Sequence, residues 1–289
     1  VVYSQWSWYG QSQVESGAGS GVIISSDGYI LTCAHVVSGA SNITVSIGDK
    51  DYPATLVGED TTSDIAVVKV DATGLTPAVL GDSDSVQVGE LSIAVGNPLG
   101  TLSNTATDGI ISGLDREVTV QGNTMRLMQT SAAVSPGNSG GGLFNANGEL
   151  VGIVNAKSTG EYAEGLGFAI PINTAKQVAQ DLIENGYVTG RPALGITVIS
   201  ISDAQTAMQY GVSSFGVYVQ SVTSGSGADK AGMKVGDRIV SVGSQLVEST
   251  SDVTNALKDL NAGDVVEVQV DRNRELMTLN ITLGERTQA

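Results

Sequence analysis

The chain has 289 residues, and its 14 Lys and Arg against 30 Asp and Glu give a formal net charge of −16 at pH 7. Such an acidic chain argues against nucleic acid or an anionic membrane surface as a partner. A single cysteine excludes an internal disulfide, and with only one histidine beside it the sequence leaves no plausible zinc site, so we expect neither metal nor cofactor.

Short segments that alternate apolar and polar residues, broken by Gly, Asn, Asp and Ser, predict a mainly β protein. Examples are residues 43–47 and 91–95, and the mostly apolar run 65–70 predicts a buried strand. Helical spacing predicts one helix from Ile172 to about Asn185 with Gly186 as its stop, and another over about 251–260. The length is enough for two domains, each with its own core, and no stretch is long and apolar enough to span a bilayer.

Residues 137–141 read Gly-Asn-Ser-Gly-Gly, and the chain's only histidine, His35, lies far upstream of them. An α/β-hydrolase needs its histidine after the serine, and none follows Ser139. A subtilisin order needs an acid well ahead of the histidine, whereas only Glu15 and Asp27 precede His35, both close to it. The order His, Asp, Ser is therefore the one that remains.

We predict Asp64 as the acid of this set. It ends a polar turn and opens the apolar run 65–70, so its carboxylate can be held out of water while it accepts the Nδ1 proton of His35. Seven other Asp residues between His35 and Ser139 lie in polar or glycine-bearing segments typical of solvated turns, and these are Asp49, Asp51, Asp71, Asp82, Asp84, Asp108 and Asp115.

A serine hydroxyl needs a neighbouring base, and His35 is the side chain whose ordinary pKa suits that role near neutrality. Glycines let the backbone turn its N–H groups inward, so the 137–139 loop of Gly137, Asn138 and Ser139 is predicted to form an oxyanion hole, with Gly137 and Ser139 as donors. Taken alone, this segment is also typical of an ordinary turn, and only its combination with His35 and Asp64 favours a hydrolase. Cys33 is expected to be a small buried hydrophobe without a role.

Three segments resemble the HtrA (DegP/Do-like) serine proteases: residues 31–37 (Leu-Thr-Cys-Ala-His-Val-Val), 63–67 (Ser-Asp-Ile-Ala-Val) and 135–141 (Ser-Pro-Gly-Asn-Ser-Gly-Gly). Residues 19–24, which we expect to lead into the first strand, and 165–171 add to a resemblance that spans nearly the whole chain. It implies a chymotrypsin-like protease domain of two packed antiparallel β-barrels over residues 1–187, a linker at 188–192, and an α+β PDZ domain over 193–289.

The resemblance places His35, Asp64 and Ser139 at the family's triad positions. It implies an ATP-independent serine endopeptidase that degrades unfolded or misfolded proteins in protein quality control, through an acyl-enzyme. The alternative is a chaperone-like or peptide-binding module with a weakly active protease fold. In the PDZ segment, Leu194, Gly195 and Ile196 are expected to present backbone N–H groups to the C-terminal carboxylate of a peptide, whose backbone then pairs with the strand edge that follows. Taken alone, these residues are more typical of a plain strand start.

Substrate contacts follow from the same comparison. The residue six before the nucleophile, Ala133, is expected at the base of the S1 pocket, and because it carries no charge we predict small or medium apolar P1 residues. Residues expected along the substrate-binding edge and the pocket wall are Ala156, Lys157, Ser158, Leu166, Gly167 and Phe168.

Aromatic residues are concentrated in the polar segment 1–16, where Tyr3, Trp6, Trp8 and Tyr9 occur. Exposed aromatics at that density suggest an interface, and the resemblance implies a homotrimer; the alternative is that they pack on their own barrel. Because the chain begins at Val1 and not at Met, we expect that an N-terminal segment has been removed. The resemblance implies that this segment is a signal peptide or a membrane anchor, and therefore an extracytoplasmic location such as the periplasm or cell surface.

Overall fold

The computed structural model describes residues 1–7, 14–102, 104–120, 123–156 and 166–286, without the side chains of residues 6, 7, 14–16 and 120. The chain divides into two compact units, one made of Val1–Val120 and Met125–Tyr187, the other of Gln121–Thr124 and Val188–Ala289. None of the helices in the described ranges is long and apolar enough to cross a membrane.

The first half of unit 1 is a seven-stranded antiparallel sheet in the order β2-β1-β5-β6-β7-β4-β3. A one-turn helix, α1 (Ala34–Val37), follows β4 and carries His35. The strands are β1 (Val2–Ser7), β2 (Val14–Gly19), β3 (Val22–Ile23), β4 (Tyr29–Cys33), β5 (Asn42–Ile47), β6 (Lys50–Asp60) and β7 (Ile65–Val70).

The second half of unit 1 is a closed barrel in the order β10-β13-β12-β11-β8-β9. Its interior is apolar, with Ile111, Leu143, Val154 and Ala169 almost fully buried. The helix α2 (Ile172–Asn185) follows the barrel and ends at Gly186, whose φ of 81° is left-handed. The barrel strands are β8 (Leu91–Gly96), β9 (Thr105–Val120), β10 (Asn123–Thr130), β11 (Gly142–Phe144), β12 (Leu150–Val154) and β13 (Gly167–Pro171), and 3-10 turns cover Ser83–Ser85 and Pro98–Gly100.

These elements confirm the predicted mainly β architecture with barrel-like sheets. The predicted strands at 43–47, 65–70 and 91–95 correspond to β5, β7 and β8, and α2 has the predicted bounds. In all three cases the sequence pattern indicates the strand, because alternating apolar and polar residues mark a half-buried strand and a short apolar run between turn residues marks a fully buried one.

The expectation that residues 19–24 lead into the first strand is wrong, because β1 and β2 precede them. β1 pairs with β5 through Val2↔Val45, and Val2 is fully buried, so this segment is part of the sheet. Ser4 on the same face is fully buried as well, which hides the apolar alternation from a sequence pattern. Tyr3 is 36% exposed, while the side chain of Trp6, and residues Trp8 and Tyr9, lie outside the described part of the chain.

Unit 2 contains an antiparallel sheet in the order β15-β16-β17-β19-β20, with β18 paired to β17 and β14 paired to β21. The predicted linker 188–192 therefore ends inside a strand, since Pro192 belongs to β14. The elements are β14 (Pro192–Ala193), β15 (Ile196–Ile201), α3 (Ala204–Tyr210), β16 (Gly216–Val222), α4 (Gly227–Lys230), β17 (Arg238–Val242), β18 (Gln245–Leu246), α5 (Thr250–Leu257), β19 (Val265–Arg272), β20 (Glu275–Thr282) and β21 (Gly284–Glu285).

Two helices of unit 2 differ from expectation. The predicted helix 251–260 begins one residue earlier and ends at Leu257. The helix α3 was not predicted, because only Ala207 among its residues is buried and so no apolar stripe marks it. Its ends do carry local signals: the Asp203 side chain accepts the N–H of Thr206, and Gly211 adopts the left-handed conformation.

Candidate active site

Asp64 occupies a strained backbone position between the 60–63 turn and β7. Its φ is +55°, and the residue is 8% exposed. Two successive N–H groups at the start of α1 bind it: Ala34 donates to the Asp64 carbonyl at 3.1 Å, and His35 donates to Oδ1 at 2.9 Å. A residue other than glycine holds a left-handed conformation when its surroundings over-determine it, and here those bonds tie α1 to the backbone carbonyl and the carboxylate of Asp64.

His35 and Asp64 form a direct pair, with Nδ1 and Oδ2 2.6 Å apart. A carboxylate only accepts, so Nδ1 carries the proton and the Nε2 lone pair is left for another group. Asn155, which is fully buried, donates its Nδ2 to the same Oδ2 at 2.9 Å. The seven other Asp residues considered between His35 and Ser139 are all exposed, in contrast to Asp64.

Ser139 lies in the loop between β10 and β11 and is 6% exposed. Its carbonyl accepts the N–H of Ser20 at 2.8 Å, which holds the loop against the seven-stranded sheet. Its Oγ accepts the N–H of Ala156 at 3.3 Å and, within the described ranges, makes no hydrogen bond to His35. Ser139 Oγ and the His35 ring are therefore not hydrogen-bonded to each other here, and in sites of this kind such bonds are often long or poorly aligned until substrate binds.

The conformation of the loop predicted to form an oxyanion hole depends on Gly137. Its φ is +96°, and a Cβ there would lie 2.3 Å from the carbonyl oxygen of Asn97. The preceding carbonyl, that of Pro136, accepts the N–H of Leu99 at 2.8 Å. Since the C=O and N–H of a trans peptide point in opposite directions, this bond turns the Gly137 N–H away from Leu99.

Two N–H groups of this loop, those of Gly137 and Ser139, have no hydrogen-bond partner among the described residues. Asn138, predicted as a third member of the oxyanion hole, differs: its N–H donates to the Ser135 carbonyl at 2.9 Å. Its contribution to the hole is corrected accordingly, because a donor engaged inside its own turn cannot serve an incoming oxyanion.

Ser20 is a structural contact that sequence reasoning did not single out. Its Oγ donates to the Gly137 carbonyl at 2.8 Å and accepts the N–H of Asn97 at 2.9 Å. Ser20 follows β2 of the sheet and Asn97 follows β8 of the barrel, so one hydroxyl joins both halves of unit 1 to the oxyanion loop. Only its place in the glycine-flanked segment 19–24 pointed to it.

Two of the segments predicted to form the substrate pocket, around Ala133 and at 166–168, are adjacent. β10 pairs with β13 through Thr130↔Gly167, and a Cβ on Gly167 would lie 2.7 Å from the side chain of Val134. Ala133 is exposed, and its carbonyl accepts the Thr107 hydroxyl at 2.8 Å. Of the remaining predicted residues, Phe168 is 9% and Ala156 6% exposed, Leu166 is 41% exposed, and Lys157 and Ser158 lie outside the described residues.

Ala156 and its neighbour Asn155 together contact both ends of the candidate triad. The Asn155 side chain binds Asp64, and the Ala156 N–H binds Ser139. Ala156 was expected only as part of the edge that binds substrate. No sequence pattern marks Asn155, since a single Asn after an apolar strand reads as an ordinary strand end.

In unit 2, the predicted carboxylate-binding loop precedes the edge strand β15. Leu194 is 3% exposed, and its carbonyl accepts the N–H of Ala228 at 3.0 Å. Gly195 has a φ of +82°, and its carbonyl accepts the N–H of Thr223 at 2.9 Å. The N–H groups of Leu194 and Gly195 have no hydrogen-bond partner in the described part of the chain. Ile196 opens β15 and packs against the core of unit 2.

This fold and this site define a trypsin-like serine protease unit that is followed along the chain by a PDZ unit. A trypsin-like peptidase domain matches residues 19–153, and a PDZ domain matches residues 192–283. The serine protease Do-like HtrA of Bacillus subtilis is 40% identical over 292 residues, covering 95% of this chain and 65% of that protein.

The periplasmic pH-dependent serine endoprotease DegQ of Escherichia coli is 38% identical, covering 96% of this chain and 62% of that protein. The solved structure of the HtrA-type protease AlgW with a decapeptide matches with a TM-score of 0.63 and 32% identity, covering 100% of this chain and 95% of that one. The chain belongs to the HtrA family of serine proteases. It spans less than two thirds of the length of these two curated relatives.

Proposed function

We propose that the protein is a serine endopeptidase with Ser139 as nucleophile, His35 as general base and Asp64 as the acid that orients His35. The observation that carries this proposal is the buried His35–Asp64 pair, 2.6 Å between Nδ1 and Oδ2. The same unit holds the buried Ser139, and the N–H groups of Gly137 and Ser139 have no hydrogen-bond partner within the described ranges. A structural histidine would not require a serine in such a loop.

The reaction follows from these positions. Ser139 Oγ attacks the scissile carbonyl carbon while His35 Nε2 takes its proton, and Asp64 stabilises the resulting imidazolium. The oxygen of the tetrahedral intermediate accepts hydrogen bonds from the N–H groups of Gly137 and Ser139. His35 then gives the proton to the leaving amine, and a water molecule activated by His35 hydrolyses the acyl-enzyme.

Casein hydrolysis by the wild type and by Ser139→Ala tests the proposal. We expect Ser139→Ala to lose activity to the background level and to resist labelling by a fluorophosphonate. Ser221→Ala, which removes an exposed hydroxyl in β16 of unit 2, is the matched control and should keep full activity. Equal casein hydrolysis by the wild type and Ser139→Ala would contradict the proposed serine endopeptidase activity.

One observation favours a second candidate, a chaperone-like or peptide-binding module with weak proteolysis: Ser139 Oγ binds the Ala156 N–H and not His35. Fluorophosphonate labelling with and without a hydrophobic C-terminal peptide separates the two. Labelling of the wild type in either condition supports the protease. If the wild type is not labelled in either condition and Ser139→Ala suppresses casein aggregation, the result supports the chaperone-like or peptide-binding module.

The predicted P1 preference is for small or medium apolar residues, with Ala133 at the base of the pocket and Ala156, Lys157, Ser158, Leu166, Gly167 and Phe168 along its edge and wall. The adjacency of residues 130–134 and 166–168 supports this arrangement. A panel of peptides differing at P1 tests it. Faster cleavage after Arg or Lys than after Val, Ala or Leu would contradict the assignment.

Unit 2 is proposed to bind peptide C-termini through Leu194, Gly195 and Ile196. The N–H groups of Leu194 and Gly195, which have no partner among the residues that the structure describes, are suited to a carboxylate, and β15 is an edge strand to which a peptide backbone can add. A peptide with a free C-terminal carboxylate should bind in a fluorescence titration, and its C-terminal amide should not. Equal affinity for the two would exclude this site.

Substrates are proposed to be unfolded or misfolded proteins, degraded without ATP in extracytoplasmic quality control. The name of the E. coli relative DegQ, a periplasmic endoprotease, supports this location. The relative AlgW, solved with a decapeptide, supports peptide ligands. Reduced, unfolded lysozyme should be degraded in the absence of ATP, whereas the native protein should persist.

The proposed assembly is a homotrimer that uses the N-terminal segment. Support comes from the aromatic residues near the N-terminus, although Tyr3 is only partly exposed and β1 belongs to the sheet. Light scattering should therefore give three times the chain mass. A monomeric mass would contradict this assembly.

A further inference from the structure

The thiol of Cys33 lies beside the His35–Asp64 pair. Each of Cys33, His35 and Asp64 offers one possible ligand atom, and these three atoms lie within 4.8 Å of one another. We infer that these three side chains form a binding site for a thiophilic divalent cation, Zn2+ or Cd2+, and that the bound cation inhibits the protease. The inhibition rests on the proposed function, whereas the binding itself does not.

Strand pairing creates this cluster. Cys33 ends β4, and His35 lies two residues further on in α1. β4 pairs with β7 through Cys33↔Ile65. Asp64 immediately precedes Ile65 in the chain, so this pairing brings Asp64 close to Cys33. From the sequence we expect no zinc site, because the chain has one Cys and one His. The strand pairing adds a third possible ligand, the carboxylate of Asp64, which residue counts do not reveal.

The three donors suit a borderline-soft cation. Thiolate sulfur, imidazole nitrogen and carboxylate oxygen are the usual ligands of Zn2+, and the thiolate selects against Mg2+ and Ca2+. The burial of the Asp64 carboxylate also favours a bound cation. Asp64 is 8% exposed, so little water surrounds its negative charge. The side chains of His35 and Asp64 are 15% and 11% exposed, so solvent reaches this pair and a water can complete the coordination.

The present geometry needs a small adjustment. In a tetrahedral site with bonds of about 2.0 Å, two ligand atoms lie roughly 3.3 Å apart. The Nδ1 and Oδ2 atoms are 2.6 Å apart, so they must separate slightly. Asn155 and the His35 N–H both hold the carboxylate, which opposes this movement. We therefore expect inhibition at micromolar concentrations and not the tight binding of a structural zinc site.

The proton balance explains inhibition. The Cys33 thiol, which now donates to the Val154 carbonyl at 3.4 Å, releases its proton to solvent when the cation binds. His35 stays neutral: the cation takes Nδ1, and the ring proton resides on Nε2. Nε2 can then no longer accept the proton of Ser139, so the base is lost while the nucleophile remains intact.

The binding test needs no enzymatic activity. Cd2+ is titrated into Ser139→Ala, and the ultraviolet charge-transfer absorption of a cadmium–thiolate bond is recorded. We expect a saturable band with one Cd2+ per chain, which is lost in the double variant with Cys33→Ser and weakened at least tenfold in affinity in the double variant with His35→Ala. Absence of a band in Ser139→Ala, or an unchanged band in the His35→Ala double variant, would overturn the site.

The inhibition test compares the wild type with Cys33→Ser and Cys33→Ala, whose folding is checked by circular dichroism. We expect the Zn2+ concentration for half-inhibition to rise at least tenfold in a folded Cys33 variant and EDTA to restore wild-type activity. Equal inhibition of wild type and variant would place the cation elsewhere and contradict the proposal. If both Cys33 variants fail to fold, the His35→Ala comparison of cadmium binding decides. A cadmium band in a protein without any protease activity would contradict the proposed function and leave this site standing.

Discussion

Leu99 donates its backbone N–H to the carbonyl of Pro136 at 2.8 Å and thereby sets the direction of the next peptide N–H, that of Gly137. Leu99 itself has a φ of +60°, a conformation that costs free energy for a residue other than glycine. The loop after β8 and the loop that carries Ser139 are thus coupled through one hydrogen bond. Ser20 adds a second link between the same two loops, through Asn97 and Gly137.

Gly137→Ala should lower kcat/KM by about a hundredfold or more, the usual effect of losing one oxyanion donor. The added Cβ would lie 2.3 Å from the Asn97 carbonyl oxygen, so the loop must move. Gly148→Ala is the matched control, since Gly148 also has a positive φ, 76°, but nothing lies within 4 Å of its Cβ position. Peptide hydrolysis and fluorophosphonate labelling rates measure both variants. Comparable kinetic losses in the two would show that backbone strain, and not this contact, is responsible.

Asp64→Asn should lower kcat by roughly ten-thousandfold with the fold retained, as for the equivalent change in a Ser-His-Asp triad, because His35 then loses the partner that fixes its tautomer. Asp60→Asn is the control: Asp60 is also buried, at 2% exposure, and it accepts the N–H and hydroxyl of Ser63 at 3.0 and 2.7 Å. That change should lower the free energy of unfolding by about 1–3 kcal/mol and kcat by less than tenfold. Similar kcat values for the two variants would reject Asp64 as the triad acid.

Asn155→Leu should lower kcat/KM by about ten- to a hundredfold, since a hydrogen bond to a charged group contributes roughly 1.5–3 kcal/mol. The bond lost is the one from Asn155 Nδ2 to Asp64 Oδ2 at 2.9 Å. Asn173→Leu removes a similar Asn–Asp contact, 2.7 Å to Asp82, on an exposed part of unit 1, and should leave the kinetics unchanged. The pH dependence of kcat/KM should change in the first variant only. An unaltered profile in Asn155→Leu would limit this residue to packing.

Gly195→Ala should abolish binding of a C-terminal peptide to unit 2, because the added Cβ would lie 2.2 Å from Cβ of Ser226 and the φ of +82° would be strained. Gly211→Ala shares a positive φ, 67°, in open space and should keep the affinity. Fluorescence titration measures both. Cleavage of a short peptide that lacks a free carboxylate should be equal in the two variants, and a loss confined to Gly195→Ala there would point to an effect on folding.

Local patterns predicted a large part of the architecture. β5, β7, β8 and α2 lie close to their expected bounds, because alternation, apolar runs and a terminal glycine are properties of short segments. β1 escaped detection since it buries Ser4 where an apolar residue would be expected. α3 escaped because it buries a single alanine.

The order of His35, Asp64 and Ser139 and the turn before β7 were enough to select the candidate triad, because strand ends and glycine-rich loops are local features that place reactive groups at sheet edges. The contacts of Asn155 with Asp64 and of Ser20 with Gly137, and the proximity of Cys33 to the His35–Asp64 pair, were decided only by tertiary structure. Each of these joins segments far apart in the chain, and strand pairing and loop packing, which no short window of sequence contains, bring them together.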